Sequence, residues 1–365
     1  MDIPGGGDYR GLFKEADVTA QVEARAAQVP GWIEAAAATL RSPEPPTVPT
    51  GKHCEDPYPC PFHKGCSAAE PKLERPISWL PGQLRKPAKA LRDAGALQMD
   101  EVPDEFLSEA QLRVKTQTLA GEAYFDQAGA ASALSECEYP LYFLDFETVN
   151  PAIPLWAGTR PYAQVPFQFS VHTVRQDGSM AHQDFLRADG EDPSSAFAEA
   201  LVDTVGPSGA VVVYNAGFEG GRLKELASRF PQLADRLLAI AGRLFDLQPV
   251  AKAHYYHPLQ QGSWSIKKVL PCLVPELQYD ALGGVQDGGM AIDACMELLS
   301  PACTFERRAD LEGQLRRYCR LDTLAMVGIW ARFVGADRLL EAVLAAGRVG
   351  AEVERTSRGP KAAAT

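Results

Sequence analysis

Pro140-Leu141-Tyr142-Phe143-Leu144-Asp145-Phe146-Glu147-Thr148 is a short, almost continuous apolar run. That pattern predicts a strand covered on both faces. Two carboxylates interrupt it. Alternate side chains of a strand share a face, so Asp145 and Glu147 project together. Acids inside an apolar strand are costly unless compensated, and a divalent cation, which prefers oxygen ligands, is the natural partner. The alternative is a strand end where both acids reach water.

Outward from this run, residues 165–174 read as a second strand and 183–187 as a third. A helix over 197–205, a buried strand at Ala210-Val211-Val212-Val213-Tyr214, a helix over 219–229 and a long helical pattern over 307–333 follow. Strands first, then alternating helices and strands, predict one α/β domain over residues 138–335. Upstream, residues 84–136 read as short helices, with a capping-box pattern at Ser108-Glu109-Ala110-Gln111. Residues 18–40 read as one Ala-rich amphipathic helix after the flexible Gly5-Gly6-Gly7, stopped by the proline-rich residues 42–49. One helix and a loop bury no core, so this piece docks elsewhere or ends something larger. The expected division is 1–67, a helical connector over 68–137, the α/β domain over 138–335, and a C-terminal helix with a disordered Ala-rich tail over 336–365, frayed after Val349.

Of the 365 residues, 46% are hydrophobic and 23% charged, which excludes wholesale disorder. Lys plus Arg number 36 against 47 Asp plus Glu, for a net charge of −11, which argues against a passive nucleic-acid coat. An enzyme that meets nucleic acid through a local groove and divalent cations stays open. The sequence has neither a membrane-length apolar run nor a secretion signal, so the expected location is cytoplasmic. Eight cysteines in such a chain argue against a disulfide framework, and Cys137, Cys272, Cys295, Cys303 and Cys319 read as buried free thiols.

Two further segments offer polar groups to the same site. Val213-Tyr214-Asn215-Ala216-Gly217-Phe218-Glu219 runs a strand into a helix start and places Asn215 and Glu219 at the sheet's carboxyl end. The plainer reading has Asn215 capping the helix and Glu219 favouring its first turn, and both can hold. Tyr318 and Asp322, four apart in the long helix, share one face, or else form the polar edge of an amphipathic helix. Trp264, Lys267 and Lys268 at a helix start suit a nucleic-acid strand. A solvated helix start over Ile266 and Leu270 explains them equally well. His254-Tyr255-Tyr256-His257 reads as a zinc ligand set or a structural turn, and Asp246 as an acid supporting the ligands.

In this order, the set resembles the DEDD superfamily of 3′–5′ exonucleases. Asp145-Phe146-Glu147-Thr148 is similar to its first motif and Asn215-Ala216-Gly217-Phe218-Glu219 to its second. Tyr318-x-x-x-Asp322 is similar to the third motif of the tyrosine subtype, DEDDy. Glu219 stands where the family usually has Asp, which lengthens one ligand by a methylene. The resemblance covers residues 138–335 and implies a ribonuclease H-like α/β fold. It also implies a site for two Mg²⁺ or Mn²⁺ ions, with Asp145 bridging, Glu147 and Asp322 completing one position and Glu219 reaching the other. Tyr318 would orient the attacking water.

Cys54, Cys60 and Cys66, with His53 and His63 interleaved, suit an Fe–S cluster or Zn²⁺. Their spacing, with Cys60-Pro61-Phe62, resembles the C-terminal cysteines of iron–sulfur PD-(D/E)XK nucleases of the RecB and Cas types. That family has a fourth cysteine far upstream, which is missing here. The chain thus resembles the N-terminally truncated form of a bacterial uncharacterised-domain family that fuses such a nuclease to a DEDD-like domain. A 4Fe–4S cluster short of one ligand, structural zinc and three idle thiols are the readings.

The expected function is metal-dependent 3′–5′ exonuclease action on DNA or RNA ends, with a repair or defence nuclease or helicase as partner. The alternatives are a non-catalytic nucleic-acid- or protein-binding module with the same fold, and a small-molecule metallohydrolase with a closed pocket.

Overall fold

The computed structural model describes residues 14–48, 50–54, 58–70, 72–279 and 282–357. The expectations for Gly5-Gly6-Gly7, for Glu55-Asp56-Pro57 and for residues 358–365 lie outside it. The chain divides at Pro76/Ile77 into two compact units.

In the first unit, residues 18–40 form two helices, α1 (Thr19–Ala26) and α2 (Val29–Arg41), where one was expected. Pro30 sits in the first turn of α2, where its missing N–H is tolerated. It cannot occupy the middle of a continuous helix. Neither helix buries a residue. Further on, Thr50 donates its N–H and hydroxyl to the Glu70 carboxylate at 2.5 and 2.8 Å, closing the segment that carries the cysteines.

The second unit is a mixed α/β fold. Its sheet comprises β1 (Leu141–Val149), β2 (Val165–Val174), β3 (Met180–Leu186), β4 (Val211–Val213) and β5 (Leu244–Asp246), in the order β3-β2-β1-β4-β5. β1 pairs antiparallel with β2 and parallel with β4, and β5 continues parallel. The apolar run quoted first is therefore central, and both of its faces are covered. Leu141, Phe143 and Val149 enter one core, and Tyr142, Leu144 and Phe146 enter the other.

The even face packs on helices α4 (Ser194–Thr204) and α5 (Ala216–Arg229). The odd face packs on α6 (Leu247–His254), α7 (Ile266–Leu273), α8 (Gly288–Leu298) and α9 (Phe305–Val334). Phe143 meets Trp330 of α9 edge-on at 5.7 Å. The final helix, α10 (Asp337–Ser357), continues past the expected fraying point and buries Leu339, Leu340 and Val343.

Residues 77–137 share the odd-face core through Met99, Val102 and Val114. Within them α3 (Glu109–Ala120) starts on the expected capping box, with Ser108 and Gln111 reciprocally bonded. The β1–β2 register slips between Glu147 and Thr148, where Thr148 faces Pro166 and Phe167 is skipped. Pro166 has no N–H for the ladder, so a bulge is the local solution, and it falls beside the acids.

Candidate metal centre

The two-residue period of β1 puts Asp145 and Glu147 on the face that α9 covers. β2 then fixes where α9 lies. Gln168, Ser170 and His172 face the same way and stand opposite Glu147, Asp145 and Phe143. Gln168 donates its side-chain amide to the Leu315 carbonyl at 2.9 Å, and Ser170 and His172 each meet the Thr323 hydroxyl at 2.8 Å. These bonds set the rotation and height of α9, so Tyr318, Cys319 and Asp322, all buried, arrive over the acids.

Asp145, Glu147, Tyr214, Lys267, Tyr318 and Asp322 line one cavity of about 170 Å³. Glu147, Asp322 and Glu219 are 7%, 6% and 3% exposed, and Asp145 is half-buried. Among the described residues, none of these four carboxylates has an ion-pair partner. Burial first, then Asp322, Glu147 and Glu219, hold the Asp145 pKa well above the carboxylate range. Burial and Asp322 do the same to Glu147. Burial pushes Glu219 up to about 8 and Asp322 up to about 6. Asp322 rises least because Tyr279 donates its hydroxyl to Oδ1 at 2.5 Å and Lys267 opposes the shift.

Glu219 is within electrostatic reach of Asp145 but does not line the cavity, and its buried Oε2 has no hydrogen-bond partner. Ligand atoms of Asp145, Glu147 and Cys319 lie within 4.8 Å of one another. The Cys319 thiol is 3.8 Å from Asp145 Oδ2, and burial together with Asp145 holds it protonated.

The other expected residues separate. Lys267 reaches the cavity, with its ammonium over the rings of Tyr318 and Tyr279 at 5.0 and 5.3 Å and bonded to the Gln286 carbonyl at 2.6 Å. Lys268 is exposed and bonds Gln261 at 3.1 Å, outside the cavity. Trp264 is a correction: it is buried, stacks at a tilt on Tyr256 and donates its indole N–H to the Tyr255 carbonyl at 2.7 Å, so it offers no exposed ring. Asn215 precedes α5 but makes no side-chain cap. Asp246 caps instead, accepting from Ala216 N at 3.1 Å and Gln248 N at 3.0 Å, which ties the acid-bearing end of α5 to β5.

His254 bonds Asp126 at 2.9 Å, tying the end of α6 to a segment 128 residues upstream, and His257 accepts from Leu259 N in its own turn, so each has a structural partner. Cys54, Cys60 and Cys66 are free, and Cys60 N–H bonds the Cys54 carbonyl at 2.8 Å. Among the described residues, no three of these thiols and neighbouring histidines gather to within 4.8 Å of one another.

Sequence reasoning missed Tyr279, Gln168, Thr323 and the position of Cys319. Cys319 was accessible, because it lies three residues before Asp322 on a helix and so shares its side. Gln168-Phe169-Ser170-Val171-His172 displays polar residues at every second place, a signal of one face. Tyr279 lies in an irregular segment that has no period to read.

A family model described as a domain of unknown function, DUF2779, matches residues 142–265. That span contains Asp145, Glu147 and Glu219 and ends before Tyr318 and Asp322. The chain is similar to Uncharacterized protein UU173 of Ureaplasma parvum serovar 3, at 25% identity over 209 residues, covering 51% of this chain and 30% of that protein. The match thus spans less than a third of that relative's length. No solved structure matches the chain.

Proposed function

We propose that residues 138–335 are a ribonuclease H-like, two-metal nuclease of the tyrosine DEDD type that removes nucleotides from the 3′ ends of DNA or RNA. What supports this above all is the convergence of Asp145, Glu147 and Asp322 on one cavity with the buried Glu219 in electrostatic reach of Asp145, with no protein cation paired to any of them among the described residues. An isolated buried charge is expensive, and four acids drawn together call for a compensating ion. The donor set fits Mg²⁺ or Mn²⁺: the acids supply hard oxygens, and Glu219 keeps a buried oxygen free. Asp145, Glu147 and Asp322 would hold one ion, and Asp145 with Glu219 the other. Such ions, when bound, neutralise the phosphate and make water a nucleophile near neutral pH.

The chain's own groups complete the chemistry. Tyr318, its hydroxyl kept protonated by burial among acids, orients the attacking water. Tyr279 holds Asp322 in one orientation through its hydrogen bond. Lys267, anchored on Gln286, presents positive charge where the phosphate gains negative charge.

Digestion of 5′-labelled single-stranded DNA and RNA, with Mn²⁺ or EDTA, tests the reading. The expected result is a metal-dependent ladder whose rate falls at least about 100-fold in Asp322→Asn, the cost of losing a major transition-state stabiliser. An Asp322→Asn variant that digests as fast as wild type would overturn it. No cleavage and no Mn²⁺ binding by calorimetry would make the non-catalytic module the better reading. For the cysteine segment we propose a metal or cluster remnant. Iron and zinc content of anaerobically purified chain, lost in Cys60→Ala, tests it.

A further inference from the structure

With Trp264 buried and Lys268 turned away, the groups that would hold a nucleic-acid strand lie elsewhere. The segment between β1 and β2, residues 150–164, supplies them. A second cavity, of about 360 Å³, opens between this segment and α5 and is lined by Arg160, Ser194, Arg222, Glu225 and Arg229. Both of its walls run on from elements that carry the carboxylates, and its lining includes Pro166, which pairs with Thr148 next to Glu147. The segment leaves β1 two residues after Glu147, and Arg222 lies one helical turn beyond Glu219 on α5.

Three guanidiniums converge there in a chain of net charge −11, and their commitments differ. Arg229 is structural: it bonds Ser194 Oγ at 2.9 Å and the Ala157 carbonyl at 3.1 Å and pairs with Asp192, pinning the segment to α5. Arg222 forks onto Glu225 at 2.9 Å through two nitrogens. Arg160 is the least committed, with 71% of its side chain exposed and a long ion pair to Glu225 at 4.0 Å.

Two residues on, Tyr162 stands 66% exposed at a φ of 57°. A bulky residue in the left-handed region is strained and persists only where the surroundings hold it. Here the Tyr162 N–H is bonded to the Pro151 carbonyl at 3.0 Å. The fold spends that strain to show an aromatic ring to solvent beside a cationic cavity. Core packing gives no reason for it.

We infer that this segment is the strand-binding subsite of the carboxylate site. Arg160 takes a backbone phosphate of single-stranded nucleic acid, and Tyr162 stacks on a base next to it. Aromatic stacking with a tracking positive charge is how single strands are held without sequence preference. The inference rests on the nuclease reading for its ligand class.

Anisotropy titration of the full chain with fluorescein-labelled oligothymidylate and oligouridylate in EDTA tests it. Tyr162→Gly, which removes the ring and relieves the backbone, is expected to weaken binding roughly 5- to 100-fold, whereas Tyr162→Phe retains it. Arg160→Ala is expected to weaken binding and to make the slope of log affinity against log salt shallower by about 0.7, the signature of one lost phosphate contact. Arg175→Ala, just past the far end of β2, should bind as wild type does.

Mn²⁺-dependent hydrolysis of thymidine 5′-(p-nitrophenyl phosphate) by the wild type tests the nuclease reading separately. If the wild type hydrolyses the ester while Tyr162→Gly and Arg160→Ala bind oligonucleotide normally, the subsite is overturned and the nuclease reading stands. If binding depends on both residues but the wild type never hydrolyses the ester, the nuclease reading falls and the strand-binding surface stands.

Discussion

Asp145 works against the stability of the metal-free fold. An aspartate titrates near 3.9 in an unfolded chain, whereas burial and three neighbouring acids hold Asp145 far above that. A folded state with a raised carboxyl pKa binds more protons than the unfolded state, so its stability falls as pH rises from about 4 through the folded values. For Asp322 and Glu219 those values are about 6 and about 8. In EDTA, the melting temperature is therefore expected to drop steadily between about pH 4.5 and 8, and Mn²⁺ should reverse the drop. Asp145→Asn should raise the EDTA melting temperature at pH 8 by about 2–4 °C and abolish the Mn²⁺ response. Scanning fluorimetry at several pH values checks both, and an unchanged Mn²⁺ response in Asp145→Asn would remove Asp145 from the ligand set.

The seam between β2 and α9 is where the element scale matters. Gln168 touches no expected ligand, yet its bond to Leu315 fixes the height of the helix that carries Tyr318 and Asp322. Gln168→Leu is expected to leave the fold intact and to lower kcat about 10- to 100-fold, since a displacement of an ångström costs that much. Circular dichroism and steady-state kinetics on one preparation separate the two effects. His172, in the same seam, packs on His182, bonds Thr323 and senses Arg320. Burial drives its pKa down to about 2, so its contribution to stability is complete above the unfolded value near 6.5 and is lost as pH falls below it. His172→Gln should therefore gain stability on acidification from pH 7 to 5 more steeply than wild type, by roughly 2 kcal/mol over that range.

Strong periodicity made these elements legible: residues 165–174 form the strand their alternation predicts, and the 307–333 pattern lies within α9. The break between α1 and α2 was legible too, through Pro30, but the alanine-rich composition hid it. Tyr279 and the burial of Trp264 were not, because each depends on which distant segment lies opposite, and no local period encodes that.

At the scale of the whole molecule, every member of the two hydrophobic cores among the described residues lies at or beyond Ile77. A chain beginning at Ile77 is therefore expected to fold and to keep the Mn²⁺-induced rise in melting temperature, which calorimetry of the shortened chain would check. Failure to fold would mean that the preceding unit contributes to stability beyond these cores. Within the larger unit, α9 spans 30 residues, about 45 Å, and meets β1, β2 and α10 along its length. This arrangement has a consequence during synthesis. The ribosome finishes the sheet, with Asp145, Glu147 and Glu219 in place, well before it makes Asp322. On the proposed nuclease reading, a growing polypeptide still tethered to messenger RNA lacks the last of the four proposed ligands until the final helices emerge and dock.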